Sequence, residues 1–382
     1  MKISHIILLA MALMLLLVAS NYQAISQIWS PSSMTAPLPP VASEAGDTPW
    51  YTMRLPVLGQ GFNVLALVAI GFAVGILGRF FGMFGTWIVT PALNIFGFPA
   101  AMAVGTDLTR MTGESCITAY KYASREDVDP KVVVLFVMGM AVGIEIGVRT
   151  LLWLTTFSLA GTVIRIVYTL VLLGLSLFII LDYVKSKRQD GGAGQGMGWT
   201  APPEGGTAVA RKLQATNLPP MITLSSGVRV SFWTVLFIVM LTGWFFGLLG
   251  VVGGLLLLPA MIYLMGMLPT TATGIDLFSK VLSGTYGCLT YALKGQVEFL
   301  GVLWLFLGIV IGVQICARGA HYLRGQVVRL LFAIIMAVVG LSIVVRQCGQ
   351  TGISQVMLLV ALLAICAIVA IKPIHGFLKN RN

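Results

Sequence analysis

The sequence predicts an all-α integral membrane protein made of two homologous repeats of about five helices each, plus one N-terminal and one C-terminal helix. Two observations predict it. The chain of 382 residues is 58% hydrophobic and only 10% charged, whereas a water-facing surface needs roughly 25% charged residues. Apolar runs near the roughly 18–20 residues that cross a bilayer recur along the whole chain, which allows about 10–12 spans, some of them broken. The second observation is a duplication of residues in a fixed order, set out below.

The first twenty residues carry Lys2 and an apolar stretch from Ile6 to Ala19, which reads as a signal peptide or a signal anchor. Residues 21–60 are rich in Pro, Ser and Ala and read as a non-cytoplasmic tether. Repeat 1 covers 61–184, with apolar segments at 61–80, 83–98, 100–122, 132–154 and 162–183. The second of these is short and interrupted by Gly85, Pro91 and Gly97, as expected of a bent or re-entrant element. Residues 185–230 are polar and Gly-rich, cannot bury a core, and read as a cytoplasmic linker. Repeat 2 covers 231–346, with segments at 231–249, 252–267, 270–292, 299–317 and 326–346. Residues 347–382 supply a last apolar segment and a basic tail.

The net charge of +11 resides mostly in connections, so it reports orientation rather than a nucleic-acid partner. Lys185, Lys187, Arg188, Arg211, Lys212 and Arg229 place the linker in the cytoplasm. Counting outward then puts the 21–60 tether outside and the C-terminal tail inside. The five cysteines and three histidines show neither metal-ligand nor redox spacing, so no cofactor and no catalytic triad is expected. No phosphate-binding Gly-Lys-Ser/Thr motif occurs, which excludes an ATPase module within the chain.

In the duplication, Gly75, Gly82, Gly85, Pro91 and Ala92 match Gly243, Gly250, Gly253, Pro259 and Ala260 at one offset. One residue of slip later, Gly105, Asp107, Leu108, Tyr122, Ala123 and Val128 match Gly274, Asp276, Leu277, Tyr291, Ala292 and Val297. Gly143 to Val148 likewise echoes Gly308 to Val313. An odd number of crossings per repeat makes the halves inverted, the arrangement on which alternating access is built. If 83–98 and 252–267 both re-enter instead of crossing, the halves are parallel.

The candidate site follows from the same duplication. Gly82, Gly85, Gly250 and Gly253 precede the matched prolines, where glycine either packs helices closely or permits an unwound backbone that cradles a ligand. Half-helix N-termini there favour an anion. Asp107 and Asp276 are equivalent, with Arg110 three residues after the first and Lys280 four after the second, on the same helix face. A charge at bilayer depth costs roughly 2.5–3.5 kcal/mol on translocon scales, so such residues face a partner or a cavity. They are therefore either structural ion pairs or an anion site. In the anion reading, Arg110 and Lys280 supply the field, Thr106 and Ser279 supply hydroxyl donors, and the aspartates position the cations or carry a coupling proton. Glu145 and Arg149 are one turn apart and read as a structural pair.

Gly75 through Gly82 and Gly85 to Pro91, followed by Ala103-Val-Gly-Thr-Asp-Leu108, resemble the sulfite exporter TauE/SafE family of membrane permeases. So do Gly243 to Pro259 followed by Ala272-Thr-Gly-Ile-Asp-Leu-Phe-Ser-Lys280. The resemblance covers about residues 61–346. Thr86-Trp87 after Gly85 and Ile275 before Asp276 depart from its pattern. It implies a multi-pass protein of the bacterial inner membrane that exports sulfite, a sulfonate or a related sulfur anion, driven by a proton or ion gradient. The partners expected are a small anionic substrate and membrane lipid, with no nucleic acid, and a homodimer is allowed. A channel, or a non-transporting membrane subunit of a larger complex, is the alternative, and an enzyme is not expected.

Overall fold

The computed structural model describes residues 52–58, 61–81, 87–122, 130–157, 160–188, 220–223, 229–317 and 325–361. The signal segment 1–20, the tether up to residue 51, most of the linker and the basic tail lie outside the described residues. Each half enters the membrane region through a small antiparallel hairpin. Strands β1 (Thr52–Arg54) and β2 (Gly61–Asn63) pair Met53 with Phe62, and β3 (Met221–Thr223) and β4 (Arg229–Ser231) pair Ile222 with Val230. Composition reads both stretches as connecting chain. They are ordered because Leu55 and Val230 bury their side chains against the core.

The first half of the chain continues as α1 (Val64–Phe81), α2 (Val89–Phe96), α3 (Ala100–Tyr122), α4 (Pro130–Thr156) and α5 (Ala160–Arg188). The Asn63 Oδ1 caps α1 by accepting the backbone N–H groups of Leu65 and Ala66 at 2.9 and 3.3 Å. The second half runs α6 (Phe232–Leu249), α7 (Val251–Pro259), α8 (Pro269–Leu293), α9 (Phe299–Ala317) and α10 (Gly325–Gln347), followed by α11 (Thr351–Ala361). Pro130 and Pro269 begin their helices, where a missing N–H costs nothing. Pro259 instead ends α7, and the chain widens there into a π-turn over Ala260–Leu264. Lys131–Thr156, Ala160–Leu181 and Phe232–Leu249 are long and apolar enough to cross a membrane.

The outside of the bundle is apolar. Leu170, Leu303, Trp153 and Phe237 are each more than 60% exposed, an arrangement that suits lipid rather than water. Inside, two helix pairs approach most closely, and glycine makes both approaches. On α1, Gly71 and Gly75 face the carbonyls of Leu305 and Ile309, while Gly308 and Gly312 of α9 face those of Val68 and Phe72. On α6, Gly243 and Gly247 face Met140 and Ile144, while Gly143 and Gly147 of α4 face Met240 and Trp244. A Cβ added at Gly243 would fall 2.7 Å from the Met140 carbonyl oxygen. This is small-xxx-small packing, in which backbone meets backbone.

The residue contacts also give helix directions. Numbers rise together across α1–α9 and across α4–α6, so each of these pairs runs parallel. Thr106 meets Glu298 and Gly113 meets Phe306, so α3 also runs with α9. Ser283 meets Met140 and Tyr286 meets Glu145, so α8 runs with α4. Thr109 meets Cys288 and Thr112 meets Gly284, so α3 and α8 run antiparallel. Ser176 bonds the Ala333 carbonyl and Arg165 bonds Gln347, which makes α5 and α10 antiparallel. It follows that α1 and α3 point the same way, and the chain between them returns across the bundle. The same holds for α6 and α8. The returning pieces are short: α2 has eight residues, about 12 Å of helix against a hydrocarbon core of about 30 Å.

Candidate functional site

The first-half acid lies fully buried in a chain of charge-assisted hydrogen bonds. Thr90, on α2, donates to Asp107 Oδ2 at 2.5 Å. Arg110 donates from Nε and Nη2 to Asp107 Oδ1 at 3.0 and 2.5 Å, and from Nη1 to Glu114 Oε1 at 2.7 Å. Positions 107, 110 and 114 share one face of α3, which is why the three side chains reach each other. Arg110 thus sits between two carboxylates, with its own surface entirely enclosed. Thr106, expected to offer its hydroxyl, accepts the Glu298 backbone N–H at 3.1 Å.

The second-half acid is less well supplied. Lys280 Nζ donates to Asp276 Oδ2 at 2.7 Å. Asp276 Oδ1 and Ser279 Oγ are buried and have no hydrogen-bond partner among the described residues. Ser283 turns its hydroxyl back onto the Ser279 carbonyl. Within four residues of α8 the site thus holds one paired ammonium and two buried polar oxygens without a partner among the described residues.

The two halves meet where α6 breaks. Gly250 adopts φ +70°, a conformation that glycine takes without a Cβ clash, and this ends α6 and starts α7. A Cβ at Gly250 would lie 3.2 Å from Thr90 Oγ1 and 3.4 Å from Val104 Cγ1. The second-half break therefore rests on the first-half acid cluster. The last carbonyls of a helix lack intrahelical partners, and here two tyrosines supply them: Tyr168 donates to the Leu249 carbonyl, and Tyr291 donates to that of Gly247 at 2.6 Å. Replacing Tyr291 by phenylalanine is expected to cost about 1–3 kcal/mol by leaving that carbonyl unsatisfied. Thermal unfolding in detergent would read the loss, and an unchanged midpoint would refute the pinning role.

Of the other predicted residues, Gly82 and Gly85 lie outside the described residues, and Gly253 lies in the first turn of α7. Glu145 pairs with Arg149 at 2.7 Å and accepts the Tyr286 hydroxyl at 2.7 Å. Sequence reasoning missed Thr90, Tyr168, Tyr291 and Glu298 as polar members of this region. Glu298 is fully buried; its Oε2 accepts the N–H groups of Val57 and Leu58 at 2.9 and 3.1 Å, tying the first hairpin to the start of α9. Its signal was present, because it follows Val297, the matched partner of Val128, as Asp129 follows Val128. Beside Thr90 and Tyr168 a cleft opens toward Arg165 and Arg346. Arg346 donates to the Asn94 carbonyl and Gln355 to that of Ile95 (3.3 Å), so α10 and α11 satisfy the end of α2.

The chain is 24% identical over 293 residues to the probable membrane transporter protein YunE of Bacillus subtilis (strain 168), covering 74% of this chain and 97% of that protein. No solved structure matches it significantly. The family description "Sulfite exporter TauE/SafE" matches residues 67–343, the span that holds both acid sites, the Gly250 break and both glycine-packed helix pairs. With that span matched, the chain belongs to the sulfite exporter TauE/SafE family of membrane transporters.

Proposed function

We propose that this transporter is a multi-pass secondary carrier of the bacterial inner membrane that exports a small sulfur-containing anion by alternating access between two inverted repeats. The substrate class, sulfite or a sulfonate, is carried over from the family description. The mechanism is supported by the helix directions. Sequence matching makes α1 equivalent to α6, α3 to α8 and α4 to α9. Each equivalent pair runs in opposite senses, and the two glycine-packed couples exchange under that equivalence. Between the like-directed helices lie residues 87–99 in the first half and 250–268 in the second, and a return of the chain at each gives the odd number of crossings that inversion requires.

The observation that carries the site is the buried Lys280–Asp276 pair with its unpartnered carboxylate oxygen and the unpartnered Ser279 hydroxyl. Burying such groups is costly unless something binds them. A small oxyanion can accept from Lys280 and from the Ser279 hydroxyl, whereas the free Asp276 oxygen calls for a donor. Arg110 acts on the same region from within its carboxylate pair, through Thr90 and Gly250.

Purified protein in proteoliposomes tests the reading with radiolabelled sulfite, sulfoacetate and sulfate. A carrier gives saturable counterflow of at least one of them, whereas a channel gives flux that does not saturate and collapses the gradient. Lys280→Gln is expected to lower counterflow at least a hundredfold while the protein still inserts. Normal flux in that variant would leave the pair a purely structural lock.

A further inference from the structure

The two equivalent aspartates differ in a way that the duplication itself explains. At the offset that aligns Pro91 with Pro259, the partner of Thr90 is Leu258; at the offset that aligns Asp107 with Asp276, the partner of Glu114 is Ser283. Asp107 therefore has a hydroxyl donor on its Oδ2 and an arginine on its Oδ1, and that arginine has a second carboxylate. Asp276 has Lys280 on Oδ2 and no partner on Oδ1, with only 1% of the residue exposed. At Arg110's aligned position stands Ser279, whose hydroxyl is also unpartnered.

We propose that Asp276, and not Asp107, is the carboxylate that takes up the coupling proton, and that its protonation releases Lys280 to bind the anion. This rests on the transport reading above. The vacant Oδ1 of Asp276 is the atom that receives the proton. Water on the open side gives up that proton, the carboxylate becomes neutral, and the ion pair with Lys280 is lost. Lys280, left without its carboxylate partner in a buried site, is then compensated by the incoming anion. A metal cation would have to sit against the Lys280 ammonium, so a proton suits the site better than sodium.

The charged groups on the neighbouring helices do not replace this pairing. On α3 these are Asp107, Arg110, Glu114 and Lys121, and on α4 they are Lys131, Glu145 and Arg149; α7 and the π-turn contribute none. The electrostatic partner of Asp276 is Lys280. One proton neutralises a singly charged anion such as hydrogen sulfite, whereas a dianion such as sulfate or sulfoacetate crosses with one net negative charge. Outward movement then draws on accumulation of the anion inside, against the proton gradient.

The test uses the full chain in proteoliposomes, with sulfite, sulfoacetate and sulfate as probes. In the wild type, external acid should accelerate uptake. Asp276→Asn should lose the acceleration of uptake by external acid, with anion exchange at fixed pH measured beside it. Leu258→Thr restores a hydroxyl at the position equivalent to Thr90 and should shift the pH midpoint of uptake about one unit lower, a tenfold weaker hold on the proton. Acid-driven uptake that persists in Asp276→Asn overturns the proposal, as does wild-type uptake slowed by external acid. If Asp276→Asn loses exchange as well, the Leu258→Thr midpoint decides, an unchanged value counting against. If the wild type exchanges none of the probes, the transport reading itself fails. Infrared titration then still tests the proton site, because a protonated-carboxyl band that Asp276→Asn leaves intact rules Asp276 out.

Discussion

Arg110→Gln is expected to destabilise the folded protein by about 3–5 kcal/mol, the cost of breaking a buried ion pair by removing one partner. Arg110 makes three charge-assisted hydrogen bonds to Asp107 and Glu114 from a fully enclosed position. Glutamine cannot satisfy both acids, and two carboxylates on one helix face are left without a cation between them. The deficit should shrink at acid pH, where the carboxyls can take up protons and their repulsion is lost. Thermal unfolding in detergent measures it, with Lys280→Gln as the comparison because that site has one carboxylate to strand rather than two. A wild-type midpoint for Arg110→Gln would sink the structural assignment. From its sequence position, Arg110 could equally have been the anion's partner. Its enclosure between the two acids gives it a structural load that the unfolding measurement reads apart from transport.

The second large effect is expected at the glycine couples. Valine at Gly308 or at Gly143 places its Cβ onto the backbone of the facing helix, at Val68 in one case and Met240 in the other. No side-chain rotation relieves a clash with backbone, so the helices must separate. Overpacking costs about 1–3 kcal/mol and occasionally more, and the Gly308→Val/Gly143→Val double variant strikes both couples at once. Gly174→Ala is the control: a Cβ there meets nothing within 4 Å, and the change should be neutral or mildly stabilising. Equal melting of the control and the glycine-couple variants would mean that these helices are not held by close approach.

Much of this was legible in the residues. The long helices announced themselves through apolar runs and through Pro130 and Pro269 at two of their starts. Gly250 and Pro259 marked the break and the end of α7 in the second half, and the Asp107–Arg110 and Asp276–Lys280 spacings gave the ion pairs that the structure contains. Partner choice was not legible. Nothing in the period of an apolar helix says that α1 packs on α9 rather than on its chain neighbour, because every face is apolar in a membrane. The hairpins escaped notice because three-residue strands are too short to show alternation. Glu298 and Thr90 escaped because a single polar residue carries no pattern until the fold brings its partners near. The difference in saturation between the two aspartates was written in Leu258 and Ser283, but it acquires meaning only once Thr90 and Glu114 are seen bonded.

The parallel glycine couples carry a consequence for motion. Each couple marries one helix from the first half of the chain to one from the second, backbone against backbone, so neither half can slide as a unit without tearing both couples apart. A movement that keeps both couples intact carries α1 with α9 and α4 with α6. Partnership across the two halves of the chain, rather than order along it, sets which helices stay together.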